Sequence, residues 1–403
     1  MQPFVVYRVL FGAWLLWFFS FLTRAFNEGH RMKGYQTACR RLGVVALLGT
    51  LLAGCSESDR PLESPVRFEG GIFGTYYQMT LVDPLTQGDA NALEEGILAE
   101  MEDVDHAMST YRDDSELVAF NEAPLGEWQP LSNELIEVLA ISRSVSEASE
   151  GAFDITIGDV VNLWSFGPEA RPEEVPSDAE LSERMATIGF DAVEVDTQRM
   201  QARRLRDVFA DLSGVAKGHA TDRVAAYLDQ QGIDNYLVNI GGGLIARGYR
   251  DIEDQTPWRV GIEVPQSGVP EAQHVLALEG MSVATSGDYR NYFEVDGERF
   301  SHLLDPRTGQ PIKHQLASVS VFHPSNAWAD AWATALTVVG SEQGMQLAVE
   351  NNLNILMLVR EGERWRSLAS PAFVNYFGDA LIDELGIEPW TASSANRQMQ
   401  TGE

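Results

Sequence analysis

Trp258-Arg-Val-Gly-Ile-Glu263, His274-Val-Leu-Ala-Leu-Glu279 and Ser282-Val-Ala-Thr285 are three short runs in succession that read as strands. Tyr292–Val295 and Leu316–Phe322 continue the series, and only then does a helix from about Asn326 to Val339 interrupt it. A second helix near Ser341–Asn351 and strands at Ile355–Val359 and Arg364–Leu368 follow. Upstream the order differs. A strand at Tyr76–Leu81 leads to a helix over Asp89–Tyr111, where Leu93, Ile97, Met101 and Val104 recur about once per turn. Ser132–Ala148 reads as a helix capped by Ser132, with Glu134 in its first turn. Short strands are expected at Thr187–Phe190, Val193–Val195 and Val208–Asp211, then a helix over Gly218–Gln231 and a strand at Asn235–Ile240. Helices and strands mix without strict alternation, which favours an α+β class of mixed and antiparallel sheets with flanking helices over a doubly wound parallel sheet.

The charge bounds the partners. Six of the 29 basic residues and one of the 59 acidic residues precede Cys55, so the rest carries 23 basic and 58 acidic residues, a net charge of about −35. Lys217 and Lys313 are its only lysines. Such a surface repels nucleic acid and anionic lipid. The two cysteines are Cys39 and Cys55.

Residues 32–54 read as a lipoprotein signal peptide. Lys33, Arg40 and Arg41 form a basic start, and Leu42 to Leu52 an apolar stretch too short to span a bilayer. Leu52-Ala53-Gly54-Cys55 resembles a bacterial lipobox, which makes Cys55 the expected lipidation site. Residues 1–31 are read as lying upstream of a start at Met32, the alternative being an extra apolar segment. Residues 55–65 form a polar linker with Pro61 and Pro65, residues 66–390 the folded domain, and residues 391–403 a polar tail expected to be disordered.

Four segments could carry chemistry. Asp211-Leu-Ser-Gly-Val-Ala-Lys-Gly-His-Ala-Thr-Asp222 follows a strand and opens a helix, where backbone N–H groups and Lys217 could meet a phosphate; as a bare pattern it is equally a tight turn. Val238-Asn-Ile-Gly-Gly-Gly243 lets the backbone bend sharply or a ligand approach. Thr285-Ser-Gly-Asp-Tyr289 precedes Ser301-His-Leu-Leu-Asp-Pro-Arg-Thr-Gly309, where His302 stands just before a strong turn signal. In Trp328-Ala-Asp-Ala-Trp-Ala-Thr-Ala-Leu336, Asp330 and Thr334 share one helical face. A carboxylate and a hydroxyl are hard oxygen ligands suited to Mg²⁺; the plainer reading is a threonine bonded back to its helix beside a solvated aspartate. Neither HExxH nor Gly-x-Ser-x-Gly occurs, against zinc and Ser-His-Asp hydrolysis.

Taken in order, these segments resemble the FAD:protein FMN transferases, the ApbE family. The likeness also covers Phe-Gly-Thr-Tyr (73–76), Met-Ser-Thr-Tyr-Arg-Asp-Asp-Ser-Glu-Leu (108–117) with Phe120-Asn121, Gly-Ala-Phe-Asp (151–154) and Val-Asn-Leu-Trp (161–164). The resemblance implies a single ApbE-like domain that cleaves FAD at its pyrophosphate with Mg²⁺. FMN passes to a threonine or serine hydroxyl of a target protein and AMP leaves. The implied targets are flavin-carrying subunits of membrane complexes of the Rnf and Na⁺-pumping NADH:quinone reductase type.

Carried over by motif, Phe73, Tyr111, Ala152, Phe153, Asp154, Asp211, Lys217 and Leu304 would contact FAD. The Gly214 carbonyl, Asp330 and Thr334 would hold the metal, and His302 or Asp288 would accept the hydroxyl proton. Phe73 stands where many members have methionine, and Lys217 where some have glutamate. Ala327 stands where some relatives offer another oxygen. The implied location is the periplasmic face of a bacterial membrane, lipid-anchored: the inner membrane by family habit, with Ser56 after Cys55 leaving the outer membrane open. One rival, a Mg²⁺-dependent FAD pyrophosphatase giving FMN and AMP, would use the same residues; the other, a lipoprotein that only binds FAD, would not need the Asp330–Thr334 pair.

Overall fold

The computed structural model describes residues 57–169, 171–265, 271–287, 291–362 and 364–391. The signal-peptide, Cys55 and Asp288 assignments, and the tail from residue 392 on, lie outside them. The chain divides into Met1–Arg60, described only as a short turn at Glu57–Asp59, and Pro61–Glu403. Among the described residues no helix is long and apolar enough to cross a membrane.

The second unit is built on a mixed sheet of nine strands among the described residues. Their order is Val66–Ile72, Thr75–Leu81, Tyr236–Ile240, Gly243–Arg247, Ser282–Gly287, Leu316–His323, Asn354–Glu361, Arg364–Ala369 and Glu388–Pro389. Every neighbouring pair is antiparallel except the last. The middle strands are apolar at consecutive positions because both faces are covered. Ile355, Met357 and Val359 point into one core while Leu356 and Leu358 point into the other. Val319 and Val321 oppose Phe322 in the same way. The first core takes the helices Gln87–Met108, Asn133–Ala148, Ala216–Gln230, Asn326–Val339 and Ser341–Glu350. The second takes a three-stranded sheet containing Thr256–Glu263 and Ala272–Leu278, and the helices Pro371–Phe377 and Asp379–Leu385.

The helix over Gln87–Met108 buries Leu93, Ile97, Met101 and Val104 as the spacing requires, and Ser132 caps Asn133–Ala148 by accepting the Leu135 N–H. Two expected strands are absent. At Thr187–Phe190 the backbone turns at Gly189 (φ 149°) into a short 3₁₀ turn, Phe190–Ala192. At Val208–Asp211 a single bridge, Ile157 to Phe209, replaces a ladder. The Asn121 amide occupies both backbone groups of Ala210 there, accepting from its N–H (2.8 Å) and donating to its carbonyl (2.9 Å).

A third cluster of Val160, Leu163, Trp164, Phe293, Phe300 and Leu304 joins the short helix Gly158–Leu163 to the hairpin Tyr292–Val295/Glu298–Ser301. Trp164 donates its Nε1 proton to the Gly309 carbonyl at 2.8 Å, so the turn after His302 is tied to this helix. These contacts set the outer wall of the site.

Candidate active site

A cavity of about 1250 Å³ opens between the sheet, the helix heads and the third cluster. Every expected site residue among the described ones lines it: Phe73, Tyr111, Ala152, Phe153, Asp154, Asp211, Gly214, Lys217, His302, Leu304, Asp330 and Thr334. They come from segments more than two hundred residues apart, so the fold, not local sequence, brings them together.

Phe73 and Gly74 form the two-residue turn between Val66–Ile72 and Thr75–Leu81, with φ of 53° and 70°. A tight hairpin needs positive φ at both positions, which glycine meets without strain and phenylalanine does not. The strained residue lines the cavity and also packs against the first core. Tyr111 is 71% exposed, and its hydroxyl donates to the Phe166 carbonyl at 3.3 Å. Partial burial, with the Asp211 carboxylate nearby, raises its phenol. Two broad aromatic faces thus flank the opening.

The floor is locked by local hydrogen bonds. Asp154 is buried and accepts the Thr156 N–H (2.8 Å) and hydroxyl (2.7 Å). Burial pushes its carboxyl up, and these bonds oppose the shift. Asp211 accepts the Ser213 N–H at 2.7 Å while its own N–H donates to the Ile155 carbonyl. The two loops are therefore pinned to each other below the aromatic rim.

The inner wall is the meeting of two helix heads. Ala216–Gln230 begins at Val215, which has no capping side chain; Asp330 accepts the Gly218 N–H at 3.1 Å instead. The helix head therefore does not offer all its N–H groups to a phosphate. Lys217 is also engaged, donating to the Ser213 carbonyl at 2.7 Å and standing 3.5 Å from Asp330. Burial drives the Asp330 carboxyl up, opposed by the Lys217 charge and the Gly218 N–H. Thr334 does bond back to its helix, at the Asp330 carbonyl (3.1 Å), yet Asp330 is largely buried and faces Lys217 instead of bulk solvent. A β-carbon on Gly214 would lie 3.4 Å from the Thr334 hydroxyl, so the turn and the helix are in contact.

Among the described residues no three His, Cys, Asp or Glu side chains gather as a metal cluster. The Asp330–Thr334–Gly214 group offers one carboxylate, one hydroxyl and one backbone carbonyl. All are hard oxygens, and the carboxylate among them is largely buried yet lines the cavity. That set fits Mg²⁺, which keeps few protein ligands and takes the rest from water and phosphate.

His302 lines the cavity beside the third cluster. Its Nδ1 donates to the Asn291 carbonyl at 2.8 Å, which makes Nε2 the basic nitrogen of the neutral ring. Its ring meets Phe166 edge-on. Leu304 is buried beside it in the third cluster. Arg112, not singled out by motif, braces the rim next to Tyr111 through Glu102, Asp105 and Asp114. Asp222 and Asn326 likewise have no role assigned by motif. The bonds of Asp222 to the Asn326 and Ala327 N–H groups run between helices about a hundred residues apart, and no local pattern reports them.

Residues 73–357 match the ApbE family model. The chain is 40% identical over 323 residues to an FAD:protein FMN transferase of Vibrio cholerae, covering 80% of this chain and 95% of that one. It is 36% identical over 342 residues to the Escherichia coli K12 FAD:protein FMN transferase, covering 82% and 96%. Among solved structures, the flavin transferase ApbE from Vibrio cholerae superposes with a TM-score of 0.70 at 38% identity, over 77% of this chain and 99% of that one. The apo form of Pseudomonas stutzeri flavinyl transferase ApbE gives 0.70 and 38%, over 78% and 97%. Sequence and fold agree over most of the length, and the chain belongs to the ApbE family.

Proposed function

We propose that this chain transfers FMN from FAD to a threonine or serine hydroxyl of an acceptor protein, releasing AMP. The observation that carries the reading is one cavity holding an aromatic rim, a hydrogen-bonded floor and, on its inner wall, an oxygen set fit for Mg²⁺. The names of the relatives support the same activity.

Phe73 and Tyr111 supply apolar faces for the ring systems. Asp154 and Asp211, already oriented by their own loops, offer acceptors to ligand N–H or O–H groups. Gly214, Asp330 and Thr334 would hold Mg²⁺, which would neutralise the pyrophosphate charge that this acidic chain otherwise repels. His302 takes the proton of the acceptor hydroxyl at Nε2. The hydroxyl oxygen bonds to the FMN phosphorus, the bond from that phosphorus to the bridging oxygen breaks, and AMP leaves with the electron pair.

The acceptors are flavin-carrying subunits of Rnf and Na⁺-pumping NADH:quinone reductase type complexes. Lipid on Cys55 holds the enzyme beside them at the periplasmic face of the membrane. The test is incubation with FAD, Mg²⁺ and a candidate acceptor. Flavin fluorescence on the denatured acceptor band supports the proposal. Free FMN and AMP with no labelled acceptor indicate a pyrophosphatase, and unchanged FAD indicates a binding protein.

A further inference from the structure

The two helix heads at the inner wall cap each other. Asp330, one turn into Asn326–Val339, accepts from Gly218 at the head of Ala216–Gln230. Asp222, one turn beyond Gly218, accepts from the head of Asn326–Val339: Asn326 N–H at 2.7 Å and Ala327 N–H at 2.9 Å. Ser325 is the residue that would normally cap that helix, but its hydroxyl donates to Asp222 at 2.7 Å. Donor and carboxylate are four residues apart on each helix, so the arrangement is close to symmetric.

The two carboxylates are used unequally. Asp222 is surrounded by three donors and is not part of the cavity wall; Asp330 accepts one backbone N–H, faces Lys217 and lines the cavity. The Asn326 amide ties the same helix head to the sheet, donating to the Val283 carbonyl at 3.1 Å. Beside the Gly218–Asp330 bond, Asp222 supplies the other hydrogen-bonded link between that head and the helix that follows Gly214, and it carries three bonds to the other's one.

We infer that Asp222 is a positioning residue for the metal: it holds Asn326–Val339 in register, so that the Asp330 and Thr334 oxygens meet Gly214. This rests on the proposed reading of those three residues as the metal's ligands. A carboxylate that orients a ligand-bearing element without touching the metal acts on affinity at a distance.

The experiment is Mn²⁺ binding by electron paramagnetic resonance to the full chain, for wild type, Asp222→Asn and Ser325→Ala, alongside the Mg²⁺ dependence of FMN transfer. Asp222→Asn is expected to weaken Mn²⁺ binding and raise half-saturating Mg²⁺ by about tenfold or more, with the KM for FAD unchanged. Ser325→Ala removes one of the three bonds without burying an unpaired charge; it should shift binding in the same direction by less, and add nothing in the Asp222→Asn background. Wild-type Mn²⁺ affinity in folded Asp222→Asn overturns the inference. Should that variant not fold, an unchanged affinity in Ser325→Ala overturns it. A wild-type chain that binds Mn²⁺ but transfers no FMN overturns the functional reading and leaves this inference supported wherever Asp222→Asn loses the ion.

Discussion

Gly218 rides directly on the backbone of Asn326: a β-carbon at Gly218 would sit 2.4 Å from the Asn326 carbonyl oxygen and 2.8 Å from the Ala327 Cα. Neither atom belongs to a flexible side chain, so Gly218→Ala must push two helices apart. The expected cost is about 2 kcal/mol of unfolding free energy. Urea denaturation checks it, and a change below about 0.5 kcal/mol, the scale of an ordinary surface substitution, contradicts the close crossing.

Asp330→Ala removes the one carboxylate of the proposed metal group and the acceptor for Gly218. FMN transfer is expected to vanish while far-UV circular dichroism stays that of the wild type. Transfer near the wild-type rate refutes the metal assignment.

His302→Asn keeps a polar side chain but removes the basic nitrogen. The turnover number should fall about 10²- to 10⁴-fold, the usual worth of a general base, with FAD affinity unchanged. Flavin fluorescence titration separates the two. A loss confined to FAD affinity would give His302 a binding role instead.

Phe73 holds a left-handed conformation with φ 53°. Phe73→Gly relieves that strain but gives up the ring's packing against the first core and loosens the unfolded chain, so stability should change by less than about 1 kcal/mol while the KM for FAD rises several-fold. A variant that is both less stable and unchanged toward FAD would assign the ring to the core rather than the ligand.

His219 is buried, and burial, with the Arg223 charge adding, pushes its imidazole down to about 4. In the unfolded chain it titrates near 6.5. Between those values the unfolded chain binds the proton and the folded chain does not, so stability is full above about pH 6.5 and is lost as pH falls toward 4. Between pH 7 and pH 5, wild type should lose about 2 kcal/mol more than His219→Leu. Parallel losses in urea unfolding at the two pH values would contradict the depressed imidazole.

The sequence told most where periodicity is long. The helix expected at Asn326–Val339 has those bounds. Glu116–Glu122, Gly158–Leu163 and Asp178–Met185 went unread because six to eight residues make too few turns for a pattern. The last had a local signal in Ser177 and Glu180, which form a capping box. Val66–Ile72 was hidden for another reason: as an edge strand it buries only Phe68, so alternation is missing. Motif order brought the site residues onto one cavity, but the contacts that hold them cross between distant helices. Asp222 to Asn326 is such a contact, and only tertiary structure makes it visible.

The bond from Gly218 to Asp330 has a consequence for affinity. A free aspartate must surrender side-chain rotation when it meets a ligand, a penalty on the order of 1 kcal/mol. Asp330 has already surrendered it, since the Gly218 N–H and the Lys217 ammonium fix its carboxylate when the chain folds. The entropy is charged to folding, where a large core absorbs it, and a cation arriving at the inner wall meets an oxygen with nothing left to lose.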